Sequence, residues 1–132
     1  MQRQSDGANS ITTGSAEAAA FYSNGVTMLI RASPDARQQL LDAISTDPEL
    51  AVALAACAVD ARTRGFENEC DRVIERAMTA SHGITRRERQ HVEIVALVLA
   101  GDIDRARALG AAHLQEFRDP LIDHLLAPPR TK

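Results

Sequence analysis

The sequence is poor in aromatic residues. It contains no tryptophan, one tyrosine and three phenylalanines, although 45% of its 132 residues are hydrophobic. The interior must therefore consist mainly of alanine, leucine, valine and isoleucine, and small side chains of this kind suit closely packed helices. Few stretches alternate between polar and apolar residues with a period of two, so the sequence does not predict strands.

Other absences exclude several classes of protein. No run of 18 apolar residues is present, so we expect no membrane-spanning segment. The formal charge of −3 gives no electrostatic reason to expect a nucleic-acid partner. Two cysteines without an export signal indicate reduced thiols in the cytoplasm. No Gly-rich phosphate loop or Ser–His–Asp arrangement is found, so we expect no enzyme and no cofactor.

The residues that are present predict an all-α fold of antiparallel helical hairpins. The apolar spacing and the cap signals place about six helices in three hairpins, followed by a short helix that caps one end. The hairpins are expected at residues 15–46, 48–81 and 85–118, and the cap at 120–126. We expect residues 15–127 to form one domain, between a disordered leader (1–14) and a polar tail (128–132).

Several start and stop signals support these boundaries. Ser15 is a suitable N-cap, and Thr85 with Glu88 three residues later forms a capping box. Gly65 is expected to end a helix in the left-handed conformation. Gly25 lies in the middle of the first predicted helix, which indicates close approach by a neighbour or a break in the helix. Two more starts are expected at the proline-containing runs Ser33-Pro34-Asp35 and Asp47-Pro48-Glu49.

The hairpins repeat with a period close to 34 residues. The small residues near the start of each second helix are Ala36, Cys70 and Ala106, which are spaced by 34 and 36 residues. Pro48 follows Ala36 by twelve residues, the position that proline takes in a tetratricopeptide repeat. A period of 34 residues is typical of that repeat. The sequence therefore predicts a short, right-handed solenoid of the tetratricopeptide (TPR) type.

One part of the sequence resembles a particular family of such proteins. The run RERQHVE at residues 87–93, followed by Ala100-Gly101-Asp102, resembles a segment of the tetratricopeptide repeat protein 38-like family. The run Phe117-Arg118-Asp119 takes the place of that family's Pro-Arg-Asp-like end. The resemblance extends over roughly residues 17–126, the amino-terminal part of the longer family. It implies a fold of stacked helical hairpins.

Such a fold predicts a binding function rather than catalysis. Stacked hairpins form a concave face lined by the first helix of each pair. This face would be mostly apolar, so we expect it to bind an apolar or helical peptide. The alternative is that the same residues pack against neighbouring helices. By analogy with tetratricopeptide repeats, the lining residues are Phe21, Met28, Val52, Val59, Arg62, Glu88, His91 and Val95.

Self-association is a second expectation. Three hairpins are close to the minimum for a stable stack, and an uncapped end exposes apolar surface. The amino-terminal end has only the first helix to cover it, with Phe21, Tyr22, Val26 and Leu29 exposed. We therefore expect a symmetric homodimer that buries this surface.

Two other functions are open alternatives. A metal-binding helical protein could use Glu88, His91, His113 and Glu116, because Glu-x-x-His is a spacing found in di-iron bundles. A second copy of the motif is missing and Glu88 serves a capping box, so we expect no metal. A regulatory helical domain that binds a small apolar ligand between its helices is the other alternative.

Two further groups of residues were candidates for chemistry. Cys57 and Cys70 lie on the two helices of one predicted hairpin, and we expect them to be buried small hydrophobes. The charged run at residues 86–89, with three arginines and one glutamate, could hold an acidic ligand. We favour the alternative that this run is a solvated first helical turn.

Overall fold

The computed structural model of the protein describes residues 11–127. This part of the chain contains seven helices and no strand, so the predicted all-α class is confirmed. The tail predicted at 128–132 and the first ten residues of the predicted leader lie outside the described residues. The helices are α1 (Ala16–Ile30), α2 (Ala36–Thr46), α3 (Ala51–Thr63), α4 (Glu67–Ala80), α5 (Arg86–Leu99), α6 (Ile103–Glu116) and α7 (Pro120–Leu126).

Helices that are consecutive in the chain pack in pairs. The most extensive contacts are those of α1 with α2, of α3 with α4, and of α5 with α6. Helix α3 also contacts α1, α2 and α5, and so lies at the centre of the molecule. Helix α7 contacts α1, α5 and α6. The last helix therefore reaches back to the first.

The composition of α3 suits its central position. Every residue from Ala51 to Ala61 is buried, and six of these eleven are alanines. A helix that is apolar around its whole circumference has to be covered on all sides. Alanine allows neighbouring helices to approach closely from several directions. A central helix packed in this way has little space for aromatic side chains, which agrees with their shortage in the sequence.

Gly25 marks the closest approach between α1 and α2. A Cβ atom at this position would lie 2.5 Å from Cδ2 of Leu40, a fully buried side chain on α2. Helix α1 continues without a break through Gly25. Of the two alternatives that the sequence left open, close approach by a neighbour is therefore correct.

Most of the predicted helix ends are confirmed. The Ser15 hydroxyl accepts a hydrogen bond from the amide of Ala18 at 3.0 Å, and Thr85 and Glu88 form the expected capping box. Gly65 has a φ of 81°, which is the left-handed conformation that ends α3. Ala32, which follows α1, also has a positive φ, and no local sequence pattern predicted this conformation.

Two predicted helix starts are wrong. The N-cap of α2 is Asp35 rather than Ser33, whose hydroxyl instead accepts from the amide of Asp35. Helix α3 begins at Ala51, after Pro48, because the segment from Asp47 forms a turn closed by a hydrogen bond from the Leu50 amide to the Asp47 carbonyl. Proline in both runs starts a turn before the helix rather than the helix itself.

Residues 11–14 have no regular secondary structure but contact the helical body. Ile11 packs against an apolar cluster of α1, α2 and α3. The Thr12 hydroxyl and amide donate to the Glu88 carboxylate at 2.5 and 2.6 Å. The Thr13 hydroxyl donates to Asp47 at 2.5 Å. These contacts connect the segment before α1 to the start of α5 and to the end of α2.

The surface carries a few large apolar side chains. Leu41, Phe66, Met78 and Ile103 are between 36 and 47% exposed. Among the helices of residues 11–127, none is both long enough and apolar enough to cross a membrane.

Candidate functional site

Most residues predicted to line the concave face are buried. Val52, Val59, Glu88, His91 and Val95 are between 0 and 8% exposed. Phe21, Met28 and Arg62 are partly exposed, and Arg62 donates a hydrogen bond to the Leu99 carbonyl at 2.7 Å. A partner could therefore contact the buried five only if the segments that cover them moved.

Two segments of the chain cover these positions. Thr12 donates two hydrogen bonds to the Glu88 carboxylate. Helix α7 contacts α1 and α5, and its Leu125 lines a cleft together with Val59 of α3. Some of the residues predicted to receive an external peptide, Glu88 and Val59 among them, are thus next to Thr12 or α7.

The position of α7 depends on a group of buried polar side chains. We call it the Asp119 cluster and define it as Arg87, His91, His113 and Asp119. All four are at most 7% exposed. Helix α5 supplies Arg87 and His91, α6 supplies His113, and Asp119 is the residue that caps α7. The cluster therefore joins the third hairpin to the last helix.

The two histidines converge on one carboxylate oxygen. Nδ1 of His91 and Nε2 of His113 each lie 2.8 Å from Oδ2 of Asp119. The Arg87 guanidinium lies farther away, and its Nη2 is 3.9 Å from the same oxygen. The other carboxylate oxygen accepts from the Ile122 amide at 3.4 Å and so caps α7. One carboxylate therefore orients groups on three helices.

These contacts fix which ring nitrogens carry a proton. An ionised carboxylate only accepts hydrogen bonds, so His91 donates from Nδ1 and His113 donates from Nε2. The other ring nitrogen of His91, Nε2, is buried without a hydrogen-bond partner among the described residues. Nδ1 of His113 lies 2.9 Å from Oε1 of the Gln90 side chain.

The charge of Asp119 is stabilised inside the protein. Burial by itself raises the pKa of this carboxyl, but the charge and hydrogen bond of His91, the hydrogen bond of His113 and the charge of Arg87 together lower it well below its usual range. Asp119 is thus an anion at neutral pH. The arrangement Asp–His resembles a catalytic dyad, but no nucleophilic side chain completes it among residues 11–127.

Arg87 is the least satisfied member of the cluster. Its Nη2 donates to the Arg118 carbonyl at 2.9 Å, and its Nε is buried without a partner among residues 11–127. The carboxylate of Asp119 lies beyond hydrogen-bond distance. The prediction that the run 86–89 is a solvated turn is therefore wrong for Arg87 and Glu88, which are buried, whereas the Arg86 side chain is half exposed and pairs with Glu116.

Asp60 of α3 is a second buried charge. It is 3% exposed and forms ion pairs with Arg64 at 2.8 Å and with Arg37 at 3.6 Å. Arg37 also pairs with Glu69 and lies over the Phe66 ring. This group connects α2, α3 and α4. No sequence pattern predicted it.

The candidate metal ligands are committed to other contacts. Glu88 caps α5 and binds Thr12, and His91 and His113 both donate to Asp119. Within residues 11–127, no group of three or more His, Cys, Asp or Glu side chains is arranged to hold a metal ion.

Cys57 and Cys70 are free and buried, as predicted. Burial raises the pKa of the Cys57 thiol to about 11, and the charge of Glu69 adds to the effect. Burial also raises the pKa of Cys70. Both residues are therefore neutral thiols within the core, with little of the thiolate that redox chemistry requires.

A cleft lies between α1 and α7 next to the Asp119 cluster. Its volume is about 330 Å³. One wall is a stripe of α1 and the other is the start of α7, and Arg87 and Asp119 also line the cleft. We call it the α1–α7 cleft. Its lining residues are Ile11, Ala19, Tyr22, Ser23, Val26, Thr27, Ile30, Arg87, Asp119, Pro120 and Leu121.

Sequence patterns predict only part of this site. His91 and Glu88 are noticeable through their helical spacing, but Asp119 is predicted only as the start of a helix. An Asp-Pro pair signals an N-cap, and nothing in its neighbourhood indicates a contact with His91, 28 residues away. The only available signal for Arg87 was its position in the charged first turn of α5, where a solvated side chain is the usual outcome.

Comparison with known proteins gives no assignment. No protein-family model matches the sequence, and no match was found among curated proteins or solved structures. The resemblance to the tetratricopeptide repeat protein 38-like family is therefore still a prediction.

Proposed function

We propose that the protein is a non-catalytic interaction module of the TPR type, whose groove binds an apolar or helical segment. In this proposal the groove lies along α1, α3 and α5, the first helices of the three hairpins. One observation carries the proposal: a short apolar helix of the same chain, α7, packs against α1, α5 and α6. Leu121 and Ile122 of α7 are fully buried, and His91 and His113 bind the Asp119 carboxylate that caps the helix.

This occupant indicates the kind of partner. A segment that fits would begin with an acidic N-cap residue, continue as a helix and present two adjacent apolar side chains. The carboxylate would contact the histidines and Arg87, and the apolar residues would replace Leu121 and Ile122. The partner would compete with α7 for the groove, so its apparent affinity would be reduced by the stability of the closed form.

A complementation experiment tests whether the groove accepts a helix in trans. We would use the full chain with Asp119→Ala, which loses the anchor of α7, and add a peptide spanning residues 117–127. The peptide should raise the melting temperature of this variant, because a ligand that binds only the folded state stabilises it. The matched control is the same peptide with alanine at the position of Asp119, and it should have a much smaller effect.

The proposal would be contradicted if neither peptide changed the melting temperature of a variant that circular dichroism shows to be folded. Equal shifts with both peptides would also contradict it, because the carboxylate would then play no part in recognition.

We also propose that the module forms a homodimer through the surface of α1. Val26 is buried and α7 packs against this helix, so the available surface is smaller than the apolar pattern suggests. Met28, Phe21 and Leu29 are partly exposed on it. Sedimentation over a range of concentrations should give a dimer mass that falls on dilution. Met28→Glu should favour the monomer, whereas the control Met78→Glu on α4 should not. A monomer mass at every concentration would exclude the dimer.

A cytoplasmic location belongs to the same proposal. It rests on the two buried free thiols, which suit a reducing compartment. Fractionation of cells that express the natural chain would test it, and recovery in a membrane or secreted fraction would contradict it.

A further inference from the structure

The α1–α7 cleft has an apolar wall with helical spacing. Its lining residues on α1 follow one another at intervals of three and four, so they form a single stripe along the helix that faces α7. Val26 and Ile30 belong to this stripe, and Leu121 faces them from α7. The cleft is thus lined by apolar residues of two helices.

The cleft also has polar lining residues. Arg87, Asp119 and Tyr22 line it, together with Ser23 and Thr27 of α1. Burial raises the pKa of the Tyr22 phenol above its usual range, and the charge of Asp119 adds to this effect. The phenol is therefore a neutral hydroxyl that can donate a hydrogen bond. A hydrogen-bond donor and a cation both line the cleft.

Arg87 has unused capacity to bind an anion. A buried charge normally requires a hydrogen-bonded counterion. The carboxylate with which Arg87 forms an ion pair, that of Asp119, is 3.9 Å away, and the oxygen concerned already accepts from two histidines. With its Nε unpartnered among residues 11–127, the guanidinium matches a second carboxylate better than it matches a cation or a neutral group.

A second cleft adjoins the α1–α7 cleft. It has a volume of about 410 Å³ and shares Ile30 with the α1–α7 cleft. Its apolar lining includes Leu29, Val59 and Leu125. Apolar side chains therefore continue beyond the shared Ile30.

We propose that the α1–α7 cleft binds a small amphipathic carboxylate, in which an unbranched alkyl chain carries the acid group. The carboxylate contacts Arg87 and Tyr22, and the chain lies along Val26, Ile30 and Leu121. This assignment is independent of the interaction function proposed above, because the cleft stays open while α7 occupies the groove.

Calorimetric titration of the full-length protein tests the proposal. The probes are octanoate, octanol and octylammonium, each kept below the concentration at which it aggregates. Octanoate should bind with one site per chain and should raise the melting temperature. Octanol has the same chain without the charge, and octylammonium has the opposite charge, so both should bind at least tenfold more weakly.

A variant on α1 tests the location of the site. Thr27 is exposed and lines the cleft, so Thr27→Trp should fill the opening without disturbing the core. The matched control is Asn24→Trp, because Asn24 is exposed on the same helix and lines none of the clefts described for residues 11–127. Octanoate affinity should fall at least tenfold in the first variant and stay within twofold of wild type in the second.

Arg87→Lys and Arg87→Met test the head group. Lysine should retain part of the octanoate affinity, and methionine should remove the preference for octanoate over octanol. If either variant fails to fold, the Thr27 and Asn24 pair still decides the question. The proposal is overturned if octanoate does not bind, if the three probes bind equally, or if Thr27→Trp binds octanoate as wild type does.

Discussion

The centre of the molecule and the Asp119 cluster are held together by different physics. Helix α3 is surrounded by other helices and contributes alanines, valines and a leucine, whose contacts have no preferred direction. The Asp119 cluster is equally buried but consists of charges and rings, with hydrogen bonds of fixed geometry. Both regions lie in the interior. The buried residues of α3 are apolar except for Asp60, whereas the Asp119 cluster depends on directional bonds throughout.

The difference explains how a seven-residue helix is positioned. Alanine-rich surfaces can pack in several similar arrangements, so they specify a unique one weakly. Asp119 orients α7 because its carboxylate is bound from α5 and from α6 while it caps α7. We infer that α3 supplies most of the burial and that the Asp119 cluster determines where the last helix lies.

The largest expected effect comes from removing the carboxylate at the centre of the cluster. Asp119→Ala leaves two histidine N–H groups buried without an acceptor and removes the carboxylate that pairs with Arg87, and breaking a buried pair of this kind costs about 3–5 kcal/mol. Urea denaturation would measure the loss. A change below about 1 kcal/mol would show that the cluster is not important for stability.

A core substitution tests the contribution of α3 to stability. Leu54→Ala on α3 should cost about 3 kcal/mol, because it removes a fully buried side chain and leaves a cavity. Unlike Asp119→Ala, it should lower the protection of the whole molecule from hydrogen exchange and not mainly that of α7. Loss of protection confined to α7 would contradict the central role of α3.

The pH dependence of stability should follow from the Asp119 cluster. The pKa of Asp119 is lower in the folded protein than the unfolded value of about 3.9. Near pH 4 the unfolded state therefore binds more protons, so folding stability rises with pH. The contribution of Asp119 is complete above about pH 5 and is lost as the pH falls through the folded pKa. Asp119→Asn should show a shallower loss below pH 5, and an unchanged slope would contradict the assignment.

The smallest of these effects should come from the capping box. Thr85→Ala removes the hydroxyl that accepts from the Glu88 amide, at an expected cost of about 1 kcal/mol. Thr85→Ser retains the hydroxyl and is the control. If alanine and serine gave the same stability in thermal denaturation, the cap bond would contribute nothing.

The sequence predicts local structure well because local structure depends on neighbouring residues. The capping box at Thr85 and the glycine approach at Gly25 both follow from short-range chemistry and are confirmed. The start of α3 was misplaced because an Asp-Pro pair starts a turn as readily as a helix. Stacking as a solenoid remains a proposal, since it concerns how the pairs are arranged and not whether they form.

The candidate site could not be predicted to the same extent, because its members are far apart in the sequence. Asp119 meets His91 across 28 residues, and no local pattern encodes that contact. Arg87 and Glu88 were expected to be solvated because charged residues in a first turn usually are. They are buried because α7 and Thr12 cover them, and both of those contacts are tertiary.

Hydrogen exchange of the α7 amides in wild type and Asp119→Asn tests the account most directly. Asparagine keeps the size of the side chain but removes the charge that both histidines and Arg87 contact. We expect the amides of Leu121–Leu126 to lose protection strongly in the variant, while those of α3 keep most of theirs. If α7 and α3 lost protection together, or if α7 lost none, the Asp119 cluster would not be what holds the last helix in place.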